Sequence, residues 1–300
     1  THKDFGSGDR ICYHGVMDMY RNPKPAAMLY AAQGDREPIL YLTSQMDIGE
    51  HPSGNVGRVY IVTNADSVKM YKNGLLLREY VPSDTPYLNM PHGPILVEDY
   101  IGPRLETEEG FDHKKAELCK EILNYAAVYG FSHLPPKITA KAAKATMLYG
   151  LKFEDAYALY GKYIGDWGGT ATTYRFEAIK DGKVVKVLEK TSTEALCLEI
   201  KVDHTLLTER TTYDVAAVRV RMCDQNGNQL HFFSGSLRLA VEGPLELIGP
   251  DLLQLRGGCG GTYVKTTGQA GTGSLILTGD QIPEQRIGFE IVIKKEKEEV

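Results

Sequence analysis

The fold is indicated most directly by residues 68–75, Val68-Lys69-Met70-Tyr71-Lys72-Asn73-Gly74-Leu75. The β-branched and aromatic residues at the start of this stretch predict a strand. Asn73-Gly74 predicts a two-residue turn, because a type I′ turn needs positive φ at both central residues and Asn-Gly tolerates that conformation best. A second turn of this kind, Asp181-Gly182, follows an alternating apolar and polar run at 173–178. Both signals predict antiparallel hairpins.

Short strand-like runs recur on both sides of these hairpins, separated by turn residues. They occupy 39–42, 59–62, 95–97, 196–202, 214–222, 235–241 and 273–277. Regularly spaced short strands with intervening turns are typical of immunoglobulin-like sandwiches. We therefore predict a mainly β protein with two immunoglobulin-like β-sandwich domains, at residues 37–194 and 195–300.

A helical insertion interrupts the first predicted sandwich at about residues 106–165. Apolar residues recur there at helical spacing in two groups, Cys119, Ile122, Leu123, Ala126 and Ala127, then Phe153, Ala156, Tyr157, Tyr160 and Ile164. Such spacing indicates amphipathic helices, and Pro135-Pro136 separates the two groups. A further short helix is predicted at 26–32, since proline suits a first helical turn and the run is rich in alanine.

The overall composition argues against several classes of partner. A formal net charge of -5 offers no basic field for nucleic acid. No run approaches the roughly 18 apolar residues of a transmembrane helix, so no membrane partner is expected. The five cysteines are scattered without a C-x-x-C pair and are predicted to be reduced thiols. No Asn-x-Ser/Thr acceptor occurs, which together with the cysteines favours a bacterial, cytoplasmic setting.

Few residues suggest chemistry by pattern alone. The glycine-rich stretches at 257–261 and 268–273 lack phosphate-loop spacing, so they predict turns and bulges. The histidines do not pair at metal-ligand spacing, and no metal site is predicted. Trp167 is the single tryptophan and lies between Gly165-Asp166 and Gly168-Gly169. It is interpreted either as a packing residue or as an exposed ring that stacks on a sugar.

Three motifs lie close together at the N-terminus: Asp4-Phe5-Gly6, then Asp9-Arg10-Ile11-Cys12-Tyr13-His14-Gly15-Val16-Met17-Asp18, then Arg21-Asn22-Pro23-Lys24-Pro25-Ala26. Their order and spacing resemble the end of the catalytic (β/α)8 barrel in bacterial family 2 glycoside hydrolases of the β-galactosidase type. Residues 44–47, 62–68, 71–74, 165–169 and 174–182 look like the immunoglobulin-like domain that follows this barrel. Residues 217–220, 224–228 and 241–244 look like a terminal sandwich similar to invasin-type repeats.

The resemblance implies that residues 1–36 are a remnant of the catalytic barrel end. In this family the acid/base and nucleophile glutamates lie on earlier barrel strands, so both are expected upstream of Thr1 and no catalytic residue is expected in this chain. Phe5 and His14 are the candidates to line the sugar subsite of the full-length parent. The best-known members have phenylalanine and asparagine where this chain has Ile11 and His14, which argues against their sodium site here, and no cofactor is expected.

The resulting prediction is a non-catalytic C-terminal accessory portion of a glycoside hydrolase that acts on β-galactosides or related β-glycosides. It would brace the barrel and shape substrate access. Its expected partners are the missing catalytic barrel and carbohydrate in the full-length enzyme, with homo-oligomers left open. The alternative is a free-standing carbohydrate-binding or adhesion module that uses Trp167 as its stacking residue.

Overall fold

The computed structural model describes residues 15–46, 48, 56–166 and 171–294. The chain divides into two compact units, Thr1–Ser192 and Thr193–Val300. Each unit is a β-sandwich with its own buried apolar core. The predicted mainly β fold with two sandwiches is confirmed, whereas the separate status of residues 1–36 as a barrel remnant stays a prediction.

The first unit contains two antiparallel sheets. One sheet has the strand order β1-β2-β5 and the other β4-β3-β6-β7. The strands are β1 (Leu40–Leu42), β2 (Tyr60–Thr63), β3 (Ser67–Lys72), β4 (Leu75–Tyr80), β5 (Ile95–Leu96), β6 (Tyr174–Lys180) and β7 (Lys183–Lys190). Buried side chains from both sheets, including Ile61, Val68 and Phe176, belong to one core. Two sheets that bury a shared face in this way make a sandwich.

The two predicted hairpin turns are confirmed by their backbone angles. Asn73 and Gly74 have φ of 48° and 81° between β3 and β4, and Asp181 and Gly182 have φ of 51° and 71° between β6 and β7. Positive φ at both central residues is the condition that these residue types satisfy with little strain. The two turns thus set two of the three strand pairings in the four-stranded sheet, β3 with β4 and β6 with β7.

The predicted helical insertion is present between β5 and β6. It comprises α2 (Arg104–Thr107), α3 (His113–Tyr129), α4 (Pro136–Tyr149) and α5 (Phe153–Tyr163), and α1 (Pro25–Ala32) confirms the predicted short helix. Asp112 caps α3 by accepting a hydrogen bond from the Lys115 N–H at 3.0 Å. Gly150 ends α4 in the left-handed conformation. One face of α3 is buried in the core of the first unit, so the insertion is part of this unit.

The second unit has sheets of four and five strands, in the orders β12-β14-β10-β8 and β13-β11-β15-β16-β9. Its strands are β8 (Cys197–Val202), β9 (Leu206–Glu209), β10 (Val215–Cys223), β11 (Ser236–Glu242), β12 (Leu245–Ile248), β13 (Leu252–Gln254), β14 (Cys259–Thr266), β15 (Gly271–Gly279) and β16 (Ile282–Ile293). All pairs are antiparallel except β9 with β16. The buried faces of both sheets contribute to one core.

The prediction that residues 257–261 form turns and bulges is only partly right. Gly257 and Gly258 form a turn with φ of 57° and 70°, but Gly260 and Gly261 lie inside β14 and pair with β10. A Cβ atom at Gly260 would lie 2.7 Å from the side chain of Leu255. Glycine is therefore used here for close packing, as also happens inside strands.

Within the residues described, no helix is both long and apolar enough to cross a membrane.

Candidate functional site

The residues selected from the sequence as candidate site residues lie outside the described part of the chain. These are Phe5, Ile11, His14 and Trp167. The substrate-lining and sugar-stacking roles assigned to them therefore stay predictions. The structure does describe the residues on either side of the segment 167–170, which we call the tryptophan segment, at Asp166 and from residue 171 onward.

A buried ion pair holds Asp166, the residue that precedes the tryptophan segment. The Lys72 ammonium, at the end of β3, lies 2.8 Å from the Asp166 carboxylate, and its side chain is 0% exposed. It also donates a hydrogen bond to the Tyr163 carbonyl at 2.7 Å. The Thr172 hydroxyl donates to the same Asp166 carboxylate in a very short hydrogen bond. The Asp166 carboxylate thus joins described residues on both sides of the tryptophan segment to the last residue of β3.

The electrostatics of this cluster reflect burial. Removal from water lowers the pKa of Lys72, while the hydrogen bond and charge of Asp166 oppose that shift. A buried ammonium needs such partners, because an uncompensated charge in the interior is strongly unfavourable. The arrangement holds a compensated charge in the core and fixes Asp166 against the end of β3.

A second set of contacts fixes the end of α5, which precedes the tryptophan segment in the sequence. The Tyr163 hydroxyl donates to Glu109 at 2.6 Å, and the Lys162 ammonium pairs with the same carboxylate at 2.7 Å. Burial and the hydrogen bond with Glu109 together raise the pKa of Tyr163 to about 12. The Arg104 guanidinium lies 4.6 Å from the centroid of the Tyr163 ring. The helix end that precedes the tryptophan segment is therefore fixed on two sides.

Sequence reasoning missed Lys72, although a signal was present. Val68, Met70 and Lys72 alternate along β3 and all three side chains are buried. Since every second residue of a strand faces the same side, a lysine in phase with a buried valine and methionine must enter the core. The adjacent Asn-Gly turn made Lys72 look like an exposed turn residue. Its partner, Asp166, is 94 positions away and cannot be inferred from local pattern.

One group of side chains in the described residues has metal-ligand spacing. Glu106, His113 and Glu117 bring one ligand atom each to within 4.8 Å of one another, and all three residues are exposed. The His113 Nδ1 atom lies 2.8 Å from Glu106, and Glu117 pairs with Lys120 at 3.0 Å. These contacts describe a solvated ion-pair network at the start of α3, which is a common arrangement of surface charges.

Exposed apolar side chains lie at the end of α4 and at the start of α5, on either side of the turn that joins these helices. Met147 is 79% exposed, Leu148 57%, Phe153 61% and Tyr157 48%. We call these four residues the apolar patch. Phe131 packs between the patch and the core, with ring centroids 5.7 Å from Phe153 and 5.2 Å from Tyr160. Grouped apolar exposure of this kind marks interaction surfaces more often than free surface.

Comparison with known proteins identifies relatives by sequence. No family model matches the chain. It is 31% identical over 264 residues to a β-galactosidase from Thermoanaerobacterium thermosulfurigenes. That alignment covers 86% of this chain and 28% of the relative. It is 33% identical over 128 residues to a β-galactosidase from Rhizobium radiobacter, covering 42% of this chain and 92% of that sequence. The chain thus spans less than a third of the longer relative.

Solved structures show the same fold. A β-glycosidase from Bacteroides vulgatus aligns over 92% of this chain and 28% of its own, with a TM-score of 0.55 at 17% identity. A glycosyl hydrolase family 2 member from Bacteroides cellulosilyticus aligns over 92% of this chain and 31% of its own, with a TM-score of 0.54 at 9% identity. The fold and the relatives together define a glycosidase-related β-sandwich region. The chain belongs to glycoside hydrolase family 2 and corresponds to the C-terminal region of its β-galactosidase type.

Proposed function

We propose that this chain is the non-catalytic accessory portion of a family 2 glycosidase acting on β-galactosides or related β-glycosides. It braces the catalytic barrel and shapes access of the substrate to it. The supporting observation is that two β-galactosidases align with this chain over 28% and 29% of their own lengths. The remaining length of such an enzyme holds the barrel, whose earlier strands carry the two catalytic glutamates in the family.

Three described carboxyl groups have pKa values shifted away from the direction that a general acid needs. Glycoside hydrolysis needs one carboxyl group that holds its proton and a second that is ionised, placed across the glycosidic bond. The pKa of Glu108 is lowered by its hydrogen bond with Arg104, and that of Glu109 by Lys162. The pKa of Glu199 is lowered as well, because Lys201 and Arg221 outweigh the effect of burial. A general acid requires a shift in the opposite direction.

The apolar patch is the surface proposed to contact the rest of the enzyme. Removing a leucine-sized side chain from water contributes roughly 1.5–3 kcal/mol, so four exposed apolar residues favour a covered state. The proposed occupant of the patch is the catalytic portion of the same polypeptide.

The test is a charge placed in the patch, in two contexts. Leu148→Glu is expected to lower the thermal unfolding midpoint of the full-length parent enzyme, because burial of a carboxylate against the barrel is unfavourable. In the 300-residue chain alone the same change is expected to leave the midpoint unaltered, since Leu148 is exposed there. An equal effect in both proteins would show that the patch is not the surface that meets the barrel.

A further inference from the structure

A cleft of the first unit lies between the outer face of α3, the start of α4 and the chain around β5. It has a volume of about 680 Å³, within the roughly 300–1,000 Å³ typical of small-molecule sites. From α3 it is lined by Lys120, Asn124, Tyr125 and Tyr129. Arg58 and Glu98 line it from the strand side. None of these residues belongs to the cluster of Lys72, Asp166 and Thr172.

Two tyrosines form an aromatic wall of this cleft. The ring centroids of Tyr125 and Tyr129 are 4.7 Å apart, with their planes inclined by 32°. The Tyr125 hydroxyl donates to the His133 carbonyl at 3.2 Å, and the Tyr129 hydroxyl accepts from Arg58 Nε at 2.6 Å. Both rings are therefore held at their polar ends. Aromatic rings fixed in this way offer apolar faces together with a polar edge.

Asn124 is oriented by the backbone on the other side of the cleft. Its Oδ1 atom accepts a hydrogen bond from the Tyr100 N–H at 3.1 Å. This bond identifies the oxygen and leaves the two Nδ2 protons as donors for a ligand. Glu98, which is exposed at the cleft, supplies acceptor oxygens. The cleft thus presents fixed donors and acceptors beside the aromatic wall.

The charges of the cleft favour a neutral ligand. Five cationic and four anionic side chains line it, so there is no strong field of one sign. Lys120 pairs with Asp99 at 2.9 Å and with Glu117 at 3.0 Å, and Lys141 pairs closely with Glu121. Burial opposes the charge on Lys120, but the two carboxylates outweigh it and raise the pKa of Lys120. This near balance of cationic and anionic side chains favours a neutral ligand over a phosphate or a divalent metal ion.

We propose that this cleft binds a neutral saccharide of about two sugar rings, with Tyr125 and Tyr129 against an apolar sugar face and Asn124 and Glu98 bonding to its hydroxyl groups. A sugar hydroxyl donates and accepts at the same time, which matches a lining that offers both donors and acceptors. The proposal rests on the geometry of the first unit and does not depend on the accessory role. It assigns saccharide binding to residues other than Trp167.

The experiment uses the whole 300-residue chain and three neutral β-linked disaccharides, lactose, cellobiose and xylobiose. Saturation-transfer NMR detects binding, and titration gives the dissociation constant. At least one of the three disaccharides is expected to bind at millimolar concentration or below. Tyr129→Ala is expected to weaken that binding about tenfold, since tenfold corresponds to about 1.4 kcal/mol and an aromatic contact contributes up to about 1.5 kcal/mol.

Two further variants make the test specific. Asn124→Asp keeps the oxygen that accepts from Tyr100 but removes the donor amide, and is expected to weaken binding without loss of stability. Tyr213→Ala is the matched control, because Tyr213 is 55% exposed in the second unit and Tyr129 is 46% exposed in the first. It is expected to leave binding unchanged.

Three outcomes overturn the proposal. The first is that none of the three disaccharides binds. The second is that binding survives both Tyr129→Ala and Asn124→Asp in a protein that remains folded. The third is that Trp167→Ala abolishes binding while Tyr129→Ala does not, which assigns the sugar to the tryptophan segment. None of these outcomes bears on the accessory role, which is tested by Leu148→Glu in the parent enzyme.

Discussion

Substitution of Asp166 by asparagine removes the charge that compensates a lysine in the core. Asparagine has nearly the same shape and tolerates the positive φ of 51° at this position. Lys72, 0% exposed, keeps the Tyr163 carbonyl and the new amide oxygen as acceptors. Loss of one partner from a buried pair costs about 3–5 kcal/mol, and we expect about 3 kcal/mol because one acceptor is retained.

An independent limit supports this magnitude. Lys72 can always escape an unfavourable charge by losing its proton, and neutralising a lysine of ordinary pKa at pH 7 costs about 4.6 kcal/mol. The destabilisation therefore cannot greatly exceed that value. For a unit of this size, about 3 kcal/mol corresponds to a fall in unfolding midpoint of roughly 6–12 °C.

The assay is denaturant unfolding followed by tryptophan fluorescence. The chain contains one tryptophan, Trp167, and it belongs to the first unit, so the signal reports on that unit. Asp35→Ala is the control, because the Asp35–Lys180 pair is exposed and such pairs contribute at most about 1 kcal/mol. The double variant Lys72→Met, Asp166→Asn is expected to recover most of the loss, since no charge remains buried.

The pH dependence of the same variant gives a second check. The pKa of Lys72 is lower in the folded protein than in the unfolded chain. Between these two pKa values the unfolded chain therefore holds more protons than the folded protein. Stability should therefore increase with pH, by at most about 1.4 kcal/mol per pH unit, and more steeply in Asp166→Asn than in the unsubstituted chain. A loss below about 1 kcal/mol with unchanged pH slope would refute the reasoning, because it would mean that Lys72 carries no buried charge.

Two further predictions concern other parts of the fold. Burial raises the pKa of the Cys119 thiol from 9.0 to about 11, so the folded state holds a proton that the unfolded state loses. Stability should fall as pH rises through this window, and Cys119→Ala should show a shallower fall in fluorescence-monitored unfolding. In the second unit, Gly243→Ala places a Cβ 2.3 Å from the Thr272 carbonyl oxygen, whereas Gly227→Ala at similar φ meets nothing within 4 Å. Calorimetry should show a loss of about 1 kcal/mol for Gly227→Ala and a clearly larger one for Gly243→Ala.

Local chemistry made part of the fold predictable. The hairpins at Asn73-Gly74 and Asp181-Gly182 follow from the positive φ that these residue types accept, and the insertion follows from helical spacing of buried residues in α3. Strand β14 was missed because glycines that permit close packing look the same in sequence as glycines that form turns. Strand β9 was missed because its partner in the parallel pair, β16, is about 80 residues later.

The sites were harder to predict because their residues are far apart in the sequence. The buried pair joins Lys72 to a residue 94 positions away, and the proposed saccharide cleft is built from α3, α4 and segments around Arg58 and Glu98. Single residues such as Tyr129 or Asn124 carry no pattern that marks them as ligands. Their relation appears only when the sandwich and the insertion are assembled. Motif resemblance identified the family and pointed to Phe5 and His14, while the single tryptophan among glycines pointed to Trp167; the roles of all three stay predictions.

The central claim is that this region supports a glycosidase without performing the hydrolysis itself. The most direct measurement is the release of nitrophenol from nitrophenyl β-galactoside by the purified 300-residue chain. The account predicts a rate equal to that of buffer, in a preparation whose unfolding transition shows that it is folded. A rate above buffer that disappears when a carboxylate of this chain, such as Glu98, is changed to its amide would contradict the account.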